Sequence, residues 1–359
     1  MTSIAVPAAV PSRPLAPVRA WLWCVAALVF AMVIVGGATR LLEAGLSITE
    51  WKPISGALPP LSQADWLAEF DKYKQIPQFS KLFPDMTLDG FKAIYAWEWS
   101  HRLLGRLIGL VVALPLAWFW ISGRLTSALK IRLVGLLALG GLQGVVGWWM
   151  VASGLVGRVE VAPQLLATHL LLASLTLVAT IWLAVGLRPK PAEPAATPLR
   201  GGAAALLALS LFQIGLGALV AGSRAGKTYN TWPLMDGRLV PPAEDLTRLE
   251  PGWRNFFENI TTVQFDHRMG AYALLALALW HFLVAARKIP GSAAARRAGA
   301  VLGLVATQAA LGVMTLVLVV PVWAGLLHQA FAMIVLAMAT VHCARCHASS
   351  AEGTIRAGA

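Results

Sequence analysis

Eight stretches of this chain are each apolar over about the 20 residues that a helix needs to cross a bilayer, and that pattern leaves few folds open. They lie near residues 20–37, 91–121, 134–152, 162–185, 203–221, 261–285, 298–319 and 322–344. In hydrocarbon, backbone groups must be hydrogen-bonded within a helix or around a closed barrel. Runs this long are helices, so the expected fold class is an all-α membrane protein with eight transmembrane helices. With 13% charged residues and a mean hydropathy of +0.68, an ordinary soluble domain, about a quarter charged, is excluded. The second stretch is the least uniform, because Glu98, His101, Arg102 and Arg106 fall inside it. Polar groups that deep should face the bundle interior. The first stretch is long enough to remain as a span, and no A-x-A-like site follows it, so a cleavable signal peptide is not expected.

Eight spans put both termini on one face, and charge says which. The segments sharing that face are 1–19, 122–133, 186–202, 287–297 and the tail from 345. They hold 14 of the 29 Lys+Arg and 2 of the 17 Asp+Glu, so the remaining 15 of each cancel and the whole formal +12 lies on the terminal face. By the positive-inside rule the termini are cytoplasmic. The basic balance therefore reports topology beside a lipid bilayer, and no nucleic acid partner is called for.

The chain also repeats. Trp97-Glu98-Trp99-Ser100-His101-Arg102 matches Val263-Gln264-Phe265-Asp266-His267-Arg268. Gln143-Gly144-Val145-Val146-Gly147 matches Gln308-Ala309-Ala310-Leu311-Gly312. Arg40 ahead of Trp51 matches Arg224 ahead of Trp232. Equivalent helices run the same way, so this is a parallel internal duplication, giving two pseudo-symmetric four-helix bundles. The expected organisation is a cytoplasmic tail at 1–19, an N-terminal half at 20–187, a Pro- and Ala-rich cytoplasmic linker or hinge at 188–200, a C-terminal half at 201–346, and a cytoplasmic tail at 347–359. Two outer loops, 41–90 and 223–260, are long and rich in Trp, Pro, Gly and charge, as lids and binding loops are. Trp51, Trp66, Trp232 and Trp253 serve equally as interfacial anchors.

Four histidines, His101, His169, His267 and His328, occupy equivalent depths on alternate spans. An intramembrane histidine is costly without a partner. Two matched pairs suggest two bis-imidazole sites, and haem iron is the guest such a pair suits; the bland alternative is helix-packing histidines bonded across the bundle. Glu98 lies three residues before His101 and on the same face, whereas its counterpart is Gln264. One site thus looks chemical and the other electron-transferring, unless Glu98 merely pairs with Arg102. Arg40, Arg102, Arg224 and Arg268 are candidates to meet outward-pointing haem propionates, or else are cations snorkelling to water. Two further patterns read as decoys. Cys343-Ala344-Arg345-Cys346-His347 matches the covalent haem-attachment pattern but falls on the cytoplasmic face. His281 and His342 each follow a candidate ligand by fourteen residues, as an inner second haem would require, but Pro115 and Leu183 stand at the matching places of the first half.

Together these residues resemble the haem A synthase family, in its proteobacterial and mitochondrial branch, from about Trp21 to His328. The resemblance rests on Gly36-Gly37-Ala38-Thr39-Arg40-Leu41, Gly45-Leu46-Ser47, Glu50-Trp51-Lys52-Pro53-Ile54, Leu58-Pro59-Pro60, Trp97-Glu98 with His101-Arg102 and Gly105-Arg106, Gly147-Trp148-Trp149-Met150-Val151 with Ser153-Gly154-Leu155, Asn230-Thr231-Trp232-Pro233-Leu234-Met235, Thr262-Val263-Gln264-Phe265 with His267-Arg268, and His328-Gln329. It implies haem b as cofactor on His267 and His328 in the C-terminal half. It implies substrate haem O near His101 and His169 in the N-terminal half, with Glu98, His101 and His169 as the catalytic set. It implies oxidation of the C8 methyl of haem O to the formyl of haem A by two successive hydroxylations, with oxygen from water. Some bacterial members carry a cysteine pair in the first outer loop; this chain has none there. The implied setting is a bacterial inner membrane with haem sites toward the periplasmic side, and the implied neighbours are a haem O synthase and cytochrome oxidase assembly factors. The sequence is compatible with a homo-oligomer. The alternatives are a transmembrane b-type electron-transfer cytochrome and a haem exporter or chaperone.

Overall fold

A computed structural model describes residues 15–187 and 193–348. All eight expected spans are helices long and apolar enough to cross a membrane. Numbering helices along the chain, the spans are α1 (Ala16–Leu41), α4 (Leu88–Ile121), α5 (Ser127–Leu155), α6 (Pro163–Gly186), α7 (Arg200–Gly222), α10 (Ile260–Lys288), α11 (Ala293–Val317) and α12 (Val322–His347). Short helices α2 (Gln63–Lys74) and α3 (Pro77–Leu82) fill the first outer loop, and α8 (Ala243–Leu246) and α9 (Asn255–Glu258) the second. No strand occurs among the described residues.

Several spans start where the sequence supplies a cap or a helix-opening proline. Thr87, Thr126 and Ser292 accept from the backbone N–H three residues on, at the heads of α4, α5 and α11. Pro163 opens α6, where a missing N–H costs nothing. Inside, hydroxyls are absorbed by their own helices: Ser174, Thr180, Ser210 and Thr340, all buried, each donate to the carbonyl four residues back. The seventh span ends at Val317, two residues short of expectation. Val319 and Val320 have φ of 60° and 55°, and a left-handed residue cannot continue a right-handed helix.

Within the first half α1 packs on α4 and α6, and α5 lies against α4 and α6; within the second α7 packs on α10 and α12, and α11 lies against α10 and α12. Between halves α6 meets α7, α12 meets α1, and α6 meets α12. Exchanging α1 with α7, α4 with α10, α5 with α11 and α6 with α12 turns this set of contacts into itself. The halves differ in tightness: α4 and α5 touch less extensively than α10 and α11.

The outer loops are folded. At 34 residues, α4 is about 51 Å long, well beyond the hydrocarbon thickness, and its first turns stand above the membrane. There Phe91 and Tyr95 join Phe70, Tyr73 and Ile76 from the first loop, with Leu46, Ile48 and Val161, in a small apolar core. Helix α2 begins with a reciprocal Ser62–Asp65 capping box. Lys52 and Lys72 both contact Glu50 and Glu69, and hydrogen bonds from these ammonium groups hold the Glu50 carboxyl below its ordinary range. The second loop uses asparagines in place of an apolar core. Asn255 donates to the carbonyls of Leu249 and Gly252, and Asn259 to that of Asp245.

The described part of the linker is packed rather than hinge-like. Pro194–Leu199 forms a 3-10 turn, Ala196 and Leu199 are buried with Ala203 and Ala285, and Glu193 accepts from Arg297 at 2.6 Å. The rest of the expected linker (188–192), most of the N-terminal tail (1–14) and the C-terminal residues 349–359 lie outside the described residues.

Candidate functional site

His101, His169, His267 and His328 sit on α4, α6, α10 and α12, and each packs against a glycine of a neighbouring span. A Cβ added at Gly147 or Gly312 would meet Cε1 of His169 or His328 at 2.9 Å; at Gly217 it would meet Cε1 of His267 at 3.0 Å. At Gly36 it would meet His101 at 3.0 Å, by the Nε2 edge of the ring instead. A Cβ at under 3.0 Å is essentially excluded and one at 3.0 Å unusually tight, so these glycines make room for imidazoles.

In the second half the rings of His267 and His328 lie with centroids 6.5 Å apart and planes at 83°. Two metal–imidazole bonds of about 2 Å, with the rings' own width, span close to that separation. The residues present therefore fit an iron held axially between them. Behind them stand two glutamines. The Gln213 amide lies 3.0 Å from Nδ1 of His267, and the Gln308 amide 3.1 Å from Nδ1 of His328. Each also donates to the backbone carbonyl of the same histidine. In the first half Gln143 donates to the carbonyl of His169 at 2.9 Å.

Glu98 is 4% exposed and accepts from Arg102 Nε at 2.6 Å through one oxygen. The ion pair weighed against a chemical role is therefore formed, without ending that role. Arg102 turns from the histidine face and donates to the carbonyls of Glu50 and Ile48; Arg106 holds those of Pro53 and Lys52. In the second half Arg268 donates to Tyr229, Leu234 and the Gln264 side chain, while Gln264 donates to Ala225 and Thr228. The arginines after the histidines thus tie the outer loops over the spans.

Arg40 and Arg224 come from opposite halves and meet on one carboxylate. Glu160, in the short α5–α6 connection, accepts from Arg40 at 2.6 Å through Oε2 and pairs with Arg224 through Oε1. Glu43 also pairs with Arg224, at 2.7 Å. Neither guanidinium is a free snorkelling cation. Arg40 Nε and Arg268 Nε are buried and without a hydrogen-bond partner among the described residues, so both keep a donor for an anionic group.

The inner histidine pair is sterically closed to haem. His281 and His342 are each 1% exposed and hydrogen-bond directly, Nε2 to Nε2, at 2.8 Å, so no iron fits between them. Cys343 and Cys346 are buried thiols, and no cluster of three or more metal-ligating side chains occurs among the described residues. Sequence reasoning missed Glu160 and Gln213. Glu160 gives no local signal. Gln213 does: Gln143, Gln213 and Gln308 each stand four residues before the glycine that faces a histidine.

A model of the cytochrome oxidase assembly protein family matches residues 19–340. A protein of Beijerinckia indica subsp. indica named heme A synthase is 61% identical over 325 residues, covering 90% of each chain. Relatives of the same name from a Methylobacterium species and from Mesorhizobium japonicum are 60% and 54% identical, covering 92% of each chain in the first case, and 92% of this chain and 90% of the relative in the second. The chain belongs to the haem A synthase family of cytochrome oxidase assembly proteins.

Proposed function

We propose that this protein oxidises the C8 methyl of haem O to the formyl group of haem A, in the outward half of a bacterial inner membrane. The observation that carries the reading is a two-fold histidine frame that holds a buried carboxylate in one half only, Glu98, with an amide, Gln264, at its mate. Haem O is the substrate, seated between His101 and His169. Haem b belongs between His267 and His328, where it would accept electrons and pass them to an external acceptor.

Conversion of methyl to formyl takes up the oxygen of one water overall and releases four protons and four electrons. Glu98 is the group placed to receive protons or to stabilise positive charge as it develops at the substrate edge. Arg102 keeps it oriented and, with Arg106, fastens residues 48–53 over the site. The unpartnered Nε donors of Arg40 and Arg268 suit propionates pointing to the outer face. The membrane orientation rests on the charge asymmetry of the loops; a reporter inserted near Asp85 should be active only outside the cytoplasm.

The deciding experiment is expression with a source of haem O, followed by chromatography of the haems extracted from the purified protein. Haem A beside haem b is the expected result. Haem b alone, with haem O supplied, would favour the electron-transfer alternative.

A further inference from the structure

We infer that Gln143, Gln213 and Gln308 are positioning residues that lock three of the four histidines from behind, and that Met32, at the fourth such place, leaves His101 as the loosely held ligand. The inference rests on the reading that these histidines carry haem. The pattern is a residue four positions before the glycine that faces each imidazole: Gln143 before Gly147, Gln213 before Gly217, Gln308 before Gly312, and Met32 before Gly36. All three glutamines anchor their amide on the backbone carbonyl of the histidine in question. All three also leave Oε1 buried with no partner among the described residues.

An imidazole that ligates iron through Nε2 carries its proton on Nδ1, and Nδ1 becomes a donor that seeks an acceptor. The glutamine oxygen supplies one when the amide rotates about its terminal bond, exchanging the hydrogen bond to the histidine carbonyl for one accepted from Nδ1. In the first half both ends of that bond are orphaned: Gln143 Oε1 and His169 Nδ1 are each buried and unpartnered. Pairing them satisfies both. His101 has no counterpart. Met32 offers no comparable acceptor, its side chain lies against Gly105, and the ring presents Nε2 rather than Cε1 to its glycine.

The consequence is chemical. Hydrogen bonding behind a ligand raises its basicity and fixes its direction, and losing such a bond typically costs about 10–100-fold in metal affinity. The second half, with both ligands locked, is built to keep its haem. The first half, with His169 locked and His101 free, is built to exchange one. A substrate that must enter as haem O and leave as haem A needs such an uneven pair.

The test uses purified haem-loaded protein. Gln308→Met should raise the rate of haem b transfer to a scavenging globin by about 10–100-fold and shift its midpoint potential upward. Gln308→Glu keeps an acceptor; it should restore retention and shift the potential downward. In the other half Met32→Gln should increase the proportion of haem A that co-purifies. A Gln308→Met protein that keeps wild-type haem loss and potential overturns the inference while leaving the functional proposal standing, and so does an unchanged haem A proportion in Met32→Gln. A wild-type protein that forms haem A but shows no low-spin bis-histidine haem overturns the inference alone. One that neither holds low-spin haem nor forms haem A overturns both.

Discussion

The two halves fasten their outer loops with the same arginine and differ in the residue four positions before it. Arg268 and its partner Gln264 make a purely structural clamp, in which both groups donate to loop carbonyls. In the first half Glu98 cannot donate, and the loop is held instead by Arg102 together with a second arginine, Arg106. The tether that an amide provides on one side is rebuilt on the other so that a carboxylate can stand there. A buried acid is harder to keep than a buried amide, and the second half holds its loop without one.

That comparison can be broken in four ways. The largest effect should come from the ligands. His267→Ala or His328→Ala should abolish low-spin haem b in the visible spectrum, whereas His281→Ala or His342→Ala should leave it, since the inner pair is a hydrogen bond and no metal site. Equal effects from both pairs would undo the assignment. Next is Glu98→Gln, whose amide oxygen can still accept from Arg102. Haem b should persist while haem A formation falls by about 10²–10⁴-fold. Near-normal turnover in this variant would reduce Glu98 to an ion-pair partner.

The converse change is smaller and acts on stability. Gln264→Glu faces an acceptor toward the carbonyls of Ala225 and Thr228 and should cost about 1–3 kcal/mol, read as earlier thermal loss of the haem b spectrum, with no oxidation gained. An undisturbed protein would mean that the second loop is held elsewhere. The smallest effect concerns the turns. The α5–α6 connection has Gly157 at φ 72°, whereas the α11–α12 turn has Val319 at 60°. Val319→Gly should stabilise by about 1 kcal/mol or less, the relief of left-handed strain being partly offset by glycine's chain entropy, visible as a slightly higher unfolding midpoint.

What was legible in the sequence was whatever repeats or has a period. The spans show through hydropathy because lipid accepts little else, and the four histidines through equal depth in a duplicated chain. What stayed hidden depends on contacts between distant residues. Glu160 meets Arg40 and Arg224 from 120 and 64 positions away, with nothing local to mark it. Fourteen-residue spacing gives the inner histidines the axial depth of a second haem site and says nothing of lateral distance, which is that of a hydrogen bond. The apolar core of the first outer loop was hidden because it is completed by the head of α4, which hydropathy alone places in the membrane.

Glu160 shares its two oxygens between Arg40 and Arg224, which stand at equivalent places in the two sequence repeats, so it bridges the halves. A homodimer of one half could not place a single carboxylate there, since every residue near its axis occurs twice, and two acids would crowd two guanidinia into a square of alternating charge. Joining the halves in one polypeptide removes that obligation. The mate of the Glu160 connection is only the four residues 318–321, none of them charged. A single polypeptide thus gives this protein a keystone that identical subunits cannot share.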